Sequence, residues 1–126
     1  MRRGALLIAV IALLAAGCGG TKTYSLAKTR ACLVAKHATI DHRLDFVAST
    51  ATGGAFRALL PKNFVTVAFG DNEKDAEQIE LAYNRFAFAN GKKGLPDVLK
   101  RDRNVVMLWH QHPQNRNLNL VMACLK

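Results

Sequence analysis

A short apolar run near the N-terminus decides where the rest of this chain can fold. Met1, Arg2 and Arg3 precede an uncharged segment of 12 residues, Ala5 to Ala16. A helix needs about 20 residues to cross the hydrocarbon core of a bilayer, so this run is too short for a membrane span. A basic start followed by an apolar run of this length is typical of a secretory signal peptide. We therefore expect the domain to fold outside the cytoplasm.

The apolar run ends at Ala16, Gly17 and Cys18. These residues resemble the lipobox of bacterial lipoproteins. The resemblance implies cleavage before Cys18, a thioether-linked lipid on its side chain and acylation of its new amino group. The protein would then be anchored to the membrane by lipid, on the extracytoplasmic face of the cell envelope. The alternative is an ordinary secretory signal that is cut after Ala16 or Gly17, with Cys18 left as an incidental thiol.

The resemblance divides the chain into a signal peptide (residues 1–17), a lipidated cysteine with its tether (18–24) and one domain (25–126). Cleavage would leave 109 of the 126 residues, enough for one modest core but not for two domains. Loss of Arg2 and Arg3 lowers the formal net charge from +9 to +7, so the mature chain stays basic. With 50% hydrophobic and 21% charged residues, the composition excludes an intrinsically disordered chain.

Two cysteines, Cys32 and Cys124, remain after Cys18 is assigned to the lipid. An even number of cysteines in an oxidising compartment predicts a disulfide between them. The bond would close a loop of about 93 residues, which the chain-entropy model values at roughly 4 to 5 kcal/mol as an upper figure. It would also join the first and last helices of the domain. The alternative is a pair of buried free thiols.

Hydrophobic periodicity predicts an α+β domain with a mixed sheet of about four strands and helices packed on it. The predicted elements are a helix from Ser25 to about Lys36, a strand from Ile40 to Val47, a hairpin of strands Ala55 to Leu60 and Phe64 to Phe69, a helix that follows Asn72 and reaches Phe86, a strand from Val105 to Trp109 and a last helix after Pro113. The sheet is mixed if the strands on either side of the middle helix run parallel. We expect Trp109 to be largely buried.

The stretch from Asn90 to Asn104 is the least regular, and we predict an exposed loop with a short helical turn from Pro96 to Lys100. It carries the candidate anion-binding residues Lys92, Lys93, Lys100, Arg101 and Arg103. Such a cluster would suit an anionic envelope component or a protein partner. The alternative is a solvated loop that serves solubility alone. We expect no nucleic-acid partner for a domain outside the cytoplasm.

His110 and His112 are two residues apart, so in a strand both imidazoles would point the same way and could share a metal ion. Two ligands are too few for a site. His37 is expected near a helix end and His42 on the apolar stripe of a strand. We therefore expect no metal and no other cofactor. Metal binding through His110 and His112 is the alternative function.

The sequence contains no recognised catalytic motif, such as a nucleophile elbow, a phosphate-binding loop or a Cys-x-x-Cys pair. The stretch from Asp71 to Asp75 is not a calcium loop, because Ala76 and Ala82 stand where Gly and Glu are needed. These residues favour helix capping instead. The sequence thus favours a non-catalytic binding or accessory module, with a small hydrolase of unrecognised site as a further alternative.

Overall fold

The computed structural model describes residues 22–87 and 93–126. Its elements in chain order are α1 (Leu26–Ala35), β1 (Thr39–Asp41), α2 (Phe46–Ser49), β2 (Ala55–Leu60), β3 (Asn63–Phe69), α3 (Glu73–Phe86), α4 (Leu95–Val98), β4 (Leu99–Asp102), β5 (Val105–Trp109) and α5 (Asn115–Cys124). These helices and strands confirm the predicted α+β fold class. The predicted signal peptide, Cys18 and Lys92 lie outside the described residues. No helix within those residues has both the length and the apolar character needed to cross a bilayer.

The strands form one antiparallel sheet in the order β1-β2-β3-β5-β4. The prediction of a mixed four-stranded sheet is therefore wrong, because β4 occupies part of the predicted loop. This strand reverses the chain after α3, so β5 returns antiparallel to β3 instead of parallel to it. An edge strand pairs on one side only and tolerates charged residues, here Lys100 and Arg101. Because of these charges, β4 lacks the regular hydrophobic pattern by which a strand is predicted from sequence.

The predicted strand over residues 40–47 is also wrong beyond Asp41. The strand ends at Asp41, and α2 begins after Asp45. The Asp45 side chain accepts a hydrogen bond from the Ala48 backbone N–H at 2.9 Å, which caps the helix. The apolar and polar residues alternate through this cap without forming a strand. His42 consequently lies exposed between the two elements rather than on an apolar stripe.

The hairpin and the caps of the longer helices follow the sequence prediction. Strands β2 and β3 pair Leu60 with Asn63 around a two-residue turn of Pro61 and Lys62. Lys62 has a φ of 62°, as the third position of a type II turn requires. The Ser25 side chain caps α1, and the Asn72 side chain caps α3.

The two faces of the sheet are covered unequally. On one face α1 and α5 pack over the larger core, which includes Leu33, Phe56, Val65, Val67, Phe69, Val105, Met107, Trp109 and Val121. Trp109 is 1% exposed, which confirms its predicted burial. On the other face α2 and α3 cover a smaller cluster of Val47, Ala48, Ala68, Ala76, Ile79, Tyr83 and Val106. The described residues therefore leave part of the second face uncovered.

Helix α1 buries a different side from the one that its apolar residues suggest. Thr29 and Leu33 are fully buried, whereas Val34 is 52% exposed and Ala27 and Ala31 lie at the surface. The Thr29 hydroxyl accepts a hydrogen bond from the Lys126 backbone N–H at 3.3 Å. The side of α1 that is buried is thus determined by its contact with Lys126 and not by the positions of its apolar residues.

The predicted disulfide between Cys32 and Cys124 is present. It joins α1 to α5, and the two Cα atoms are 5.3 Å apart. The Ser25 backbone N–H also donates to the Lys126 carbonyl. The first and last described segments are therefore joined both by the disulfide and by a backbone hydrogen bond. The two helices lie on the same face of the sheet, over the larger core.

The domain has two ends, which we call the tether end, after the tether predicted for residues 18–24, and the far end. At the tether end, the Tyr24 backbone N–H donates to Asn104 Oδ1 at 2.6 Å, and Asn104 Nδ2 donates to the Gly70 carbonyl at 3.0 Å. The start of α3 and the β4–β5 turn lie at this end. The far end contains the β2–β3 turn, the ends of α1 and α3 and the start of α5. Because β3 has seven residues, about 20 Å separates the two ends.

Candidate functional site

The open part of the sheet carries a groove of about 430 Å³, which we call the arginine groove. Its wall includes Arg43, Asp45, Arg57, Phe64, Leu108 and His110. Arg57 on β2 lies directly across from Asp41 on β1 and from Thr66 on β3. Directly opposed residues project from the same face of an antiparallel sheet, so strand register alone brings these side chains together.

Arg57 is held in place by Asp41. Its Nε donates to Asp41 Oδ1 at 2.9 Å, and its Nη2 donates to Oδ2 at 2.6 Å, which makes a bidentate pair. The hydrogen bonds from Arg57 lower the pKa of Asp41, and the same pair raises the pKa of Arg57. Arg57 Nη1 forms no hydrogen bond to any other described residue. The guanidinium is thus fixed along one edge and available along the other.

An aromatic stack continues from this guanidinium. The Arg57 Cζ lies 4.6 Å from the centroid of the Phe64 ring. Phe64 in turn stacks on His110, with centroids 4.4 Å apart and ring planes inclined by 17°. The His110 backbone N–H donates to the Phe64 carbonyl at 3.0 Å, which holds the end of β5 beside β3. The three side chains form one polar and aromatic surface along the groove.

A second groove of about 340 Å³, the apolar groove, continues along the same face. Asp45 and Leu108 line both grooves, so the two adjoin. Phe46 and Phe86 are 71% and 57% exposed and pack edge to face at the mouth, with ring centroids 5.8 Å apart. Such large exposed apolar side chains in contact with each other are typical of a binding surface.

The boundary between the grooves is polar and internally bonded. The Tyr83 hydroxyl donates to Asp45 Oδ2 at 2.9 Å, while Asp45 Oδ1 caps α2. Burial of the Tyr83 ring, together with the Asp45 charge, raises the pKa of Tyr83. The hydroxyl therefore stays protonated and acts as a hydrogen-bond donor at every physiological pH.

The predicted basic cluster is distributed over several places. Lys93 is exposed, and Lys100 and Arg101 point to opposite faces of β4. Arg101 Nε donates to Glu80 Oε2 at 3.0 Å. Arg103 Nη1 donates to the Lys22 carbonyl at 3.3 Å, and its Cζ lies 5.1 Å from the Tyr24 ring centroid. The structure does not gather these four described cations at one point.

The predicted histidine pair does not share a strand, because β5 ends at Trp109. His110 stacks on Phe64, whereas His112 Nδ1 lies 2.7 Å from Asp97 Oδ1. His37 and His42 are exposed elsewhere. Across residues 22–87 and 93–126, no three histidine, cysteine or acidic side chains group as a metal site would require.

The serines have local roles. Ser25 caps α1, and Ser49 Oγ donates to the Phe46 carbonyl at 2.6 Å within α2. Neither arrangement pairs a hydroxyl with a base in a cleft, which a serine hydrolase would need.

Sequence reasoning missed the groove residues Asp41, Arg43, Arg57 and Phe64. A signal was nevertheless present, because Arg57 is the one charged residue in the apolar strand Ala55–Leu60. A charge in such a strand needs a partner, and Asp41 on the neighbouring strand provides it. The prediction of one continuous strand over residues 40–47 hides the groove, because the segment after Asp41 in fact leaves the sheet.

Comparisons with models of protein families, with curated proteins and with solved structures found no match for this chain.

Proposed function

We propose that this chain is a lipid-anchored module of the cell envelope that binds a ligand on the extracytoplasmic side without catalysing a reaction. The observation that carries this proposal is the position of the arginine groove. Phe64 and His110 lie toward the far end, and Arg57 reaches them from the middle of the sheet, whereas residues 22–24 join the domain at the tether end. A lipid on Cys18 would hold the tether end at the membrane, and the part of the groove formed by Phe64 and His110 would then lie at the opposite end of the domain.

The anchor rests on the N-terminal residues. Cleavage before Cys18 would leave residues 18–24 as a short tether, with Gly19 and Gly20 giving it flexibility. One acyl chain binds a membrane only marginally, but the several chains of a processed lipoprotein would hold the domain stably.

Binding rather than catalysis is supported by the bonding of the groove side chains. Arg57 is fixed by Asp41, and the Tyr83 hydroxyl is committed to Asp45. Nucleophilic catalysis needs a nucleophile beside a base of suitable pKa. The groove instead presents the fixed cation of Arg57 beside the flat rings of Phe64 and His110, an arrangement that suits recognition. We propose an anionic envelope component as the partner.

The anchor is tested by membrane fractionation. We expect Cys18→Ala to leave an unprocessed precursor or to release the protein from the membrane, because the thioether cannot form. Thr21→Ala, in the tether but outside the lipobox, is the matched control and should behave like the wild type. Membrane retention of Cys18→Ala with a normal processed mass would refute the anchor.

The site is tested in intact cells with a photo-reactive side chain. Placed at His110 in the groove, it should give a discrete ligand adduct after irradiation. The same side chain at Asn119, which is exposed on α5 over the opposite face, is the control. Equal adducts from both positions, or none from His110, would overturn the assignment of the groove as the ligand site.

A further inference from the structure

We infer that the groove binds an amphipathic organic anion, with its carboxylate or phosphate at Arg57 and its apolar chain in the apolar groove. This inference rests on the proposed function, because it takes the groove as the ligand site. It goes further by naming the chemistry of the ligand.

The charge of the domain differs between its two ends. At the tether end the acidic residues are Asp71, Glu73, Asp75, Glu77 and Asp102. They balance the basic residues there, which are Lys22, Lys28, Lys74, Arg103 and Lys126, while the nearby Arg101 is neutralised by its ion pair with Glu80. The far end carries Lys36, Lys62, Arg85, Lys93 and Arg116, with Asp97 as the opposing charge. The positive excess therefore lies at the far end, where it attracts an anion toward the groove.

Within the groove, Arg57 supplies the specific contact. Asp41 occupies the Nε and Nη2 donors and fixes the plane of the guanidinium. Nη1 remains for an oxyanion, and a guanidinium held in advance loses little entropy when it binds one. Arg43 lines the same groove and adds a second positive charge. His110, exposed at the end of the stack, provides a further donor.

Asp45 limits where the oxyanion can lie. Its two carboxylate oxygens accept hydrogen bonds from the Ala48 N–H and the Tyr83 hydroxyl, but its charge remains. A ligand anion is repelled from this boundary and stays beside Arg57. Only an uncharged part of the ligand can pass Asp45, along Leu108, into the apolar groove.

The apolar groove explains why a simple anion is not the ligand. Phe46, Phe86 and Leu95 line it, and the two phenylalanines are largely exposed to solvent. An apolar chain laid against them would remove this surface from water. A polyanionic wall polymer would leave the apolar groove unused, and a neutral lipid would leave Arg57 unused.

The test uses the mature chain with Cys18→Ser, secreted behind a cleavable signal so that the disulfide forms and no detergent is needed. Octanoate, octyl phosphate, octanol and inorganic phosphate are titrated separately, with the two octyl anions kept below their micelle concentrations and octanol below its solubility limit. Binding is followed by calorimetry and by the shifts of backbone amide signals. We expect octanoate or octyl phosphate to bind and to shift Arg57, Leu108 and Phe86. Octanol and inorganic phosphate should each bind at least about 10-fold more weakly. Comparison of the two octyl probes distinguishes carboxylate from phosphate.

Variants locate the two parts of the site. Arg57→Gln should weaken binding of the octyl anion about 10-fold or more, whereas Arg116→Gln, the same charge change outside the groove, should leave it within about 2-fold. Since Arg57→Gln leaves Asp41 unpaired, Arg43→Gln is made as a second, exposed variant and should weaken binding about 3-fold. Asp45→Asn retains the α2 cap and removes the repelling charge, so it should tighten binding.

Three results would overturn the inference: equal binding of octanol and octanoate, equal binding of inorganic phosphate and octyl phosphate, or no binding of any probe. None of these would affect the fractionation and cross-linking results. A groove that forms adducts in cells but ignores octyl anions would retain the proposed function and reject this ligand class. Failure of the His110 adducts would reject the site itself.

Discussion

The two faces of the sheet are built on the same strands but differ in how completely helices cover them. On the covered face, α1 and α5 are joined by a disulfide and bury Trp109, Phe56 and Phe69 almost completely. On the other face, α2 has only four residues, and Phe46 and Phe86 remain exposed. The comparison indicates that stability is concentrated on the first face. The second face is thereby free to keep an open groove without loss of the fold.

The strongest test of this asymmetry is Trp109 on the covered face. Trp109→Ala should lower the free energy of unfolding by about 3–5 kcal/mol, through lost burial and a cavity. Trp109→Phe should cost much less, because the buried Nε1 has no hydrogen-bond partner among the described residues and its removal leaves no acceptor unpaired. Urea denaturation measures both. A cost of Trp109→Ala below about 1 kcal/mol would mean that this face is not the main source of stability.

The disulfide is expected to have the next largest effect. Replacing both Cys32 and Cys124 by Ser should cost about 2–4 kcal/mol, since the unfolded chain gains freedom. The melting temperature of the double variant, measured beside the wild type with and without reductant, checks this. Reductant should lower only the wild-type value. Alkylation of both thiols in the native, unreduced protein would refute the bond.

The open face should tolerate changes that the covered face does not. Phe86→Ser removes a side chain that is 57% exposed, so we expect the free energy of unfolding to change by less than about 1 kcal/mol. Phe69→Ser, at 1% exposure on the covered face, is the matched comparison and should be far more destabilising. Thermal unfolding measures the stability of both variants. Equal losses of stability in Phe86→Ser and Phe69→Ser would contradict the proposed difference between the two faces.

The smallest effect is the pH dependence of the Asp41–Arg57 pair. The pKa of Asp41 is lowered in the folded protein, mainly by its hydrogen bonds with Arg57, so the folded state binds fewer protons than the unfolded state. The stabilisation is complete above the unfolded pKa of about 4 and is lost as the pH falls through the lowered folded pKa. Asp41→Asn should abolish this dependence, whereas Glu77→Gln, exposed on α3, should not. If the free energy of unfolding falls with pH below about 4 as steeply in Asp41→Asn as in the wild type, this contribution of the pair is contradicted.

The fold was predictable wherever short-range patterns decide the structure. The caps at Ser25 and Asn72, the turn at Lys62 and the burial of Trp109 follow from local chemistry and strand period. The disulfide followed from the count of cysteines. The two strands that were misjudged, β1 and β4, lie at the edges of the sheet, where one-sided pairing leaves little hydrophobic pattern. Edge strands are therefore the part of this fold that periodicity describes least well.

The candidate site was less predictable than the fold for the same reason. Asp41 and Arg57 are 16 positions apart and meet only through the register of an edge strand. The basic residues that stood out in the sequence, such as Arg101 and Arg103, are close together along the chain but bond to separate neighbours. Proximity in sequence was thus a poor guide to which cations share a surface.

The pairing of Ser25 with Lys126 at the tether end has a consequence for how such a domain can diversify. Because both described termini lie there, the far end consists of turns and connections between secondary-structure elements. The turn at Pro61 and Lys62 and residues 110–114 can change in length without rethreading a chain end through the sheet, and surface connections accept such changes most readily. One scaffold could therefore present different surfaces at its far end by exchange of these short segments alone.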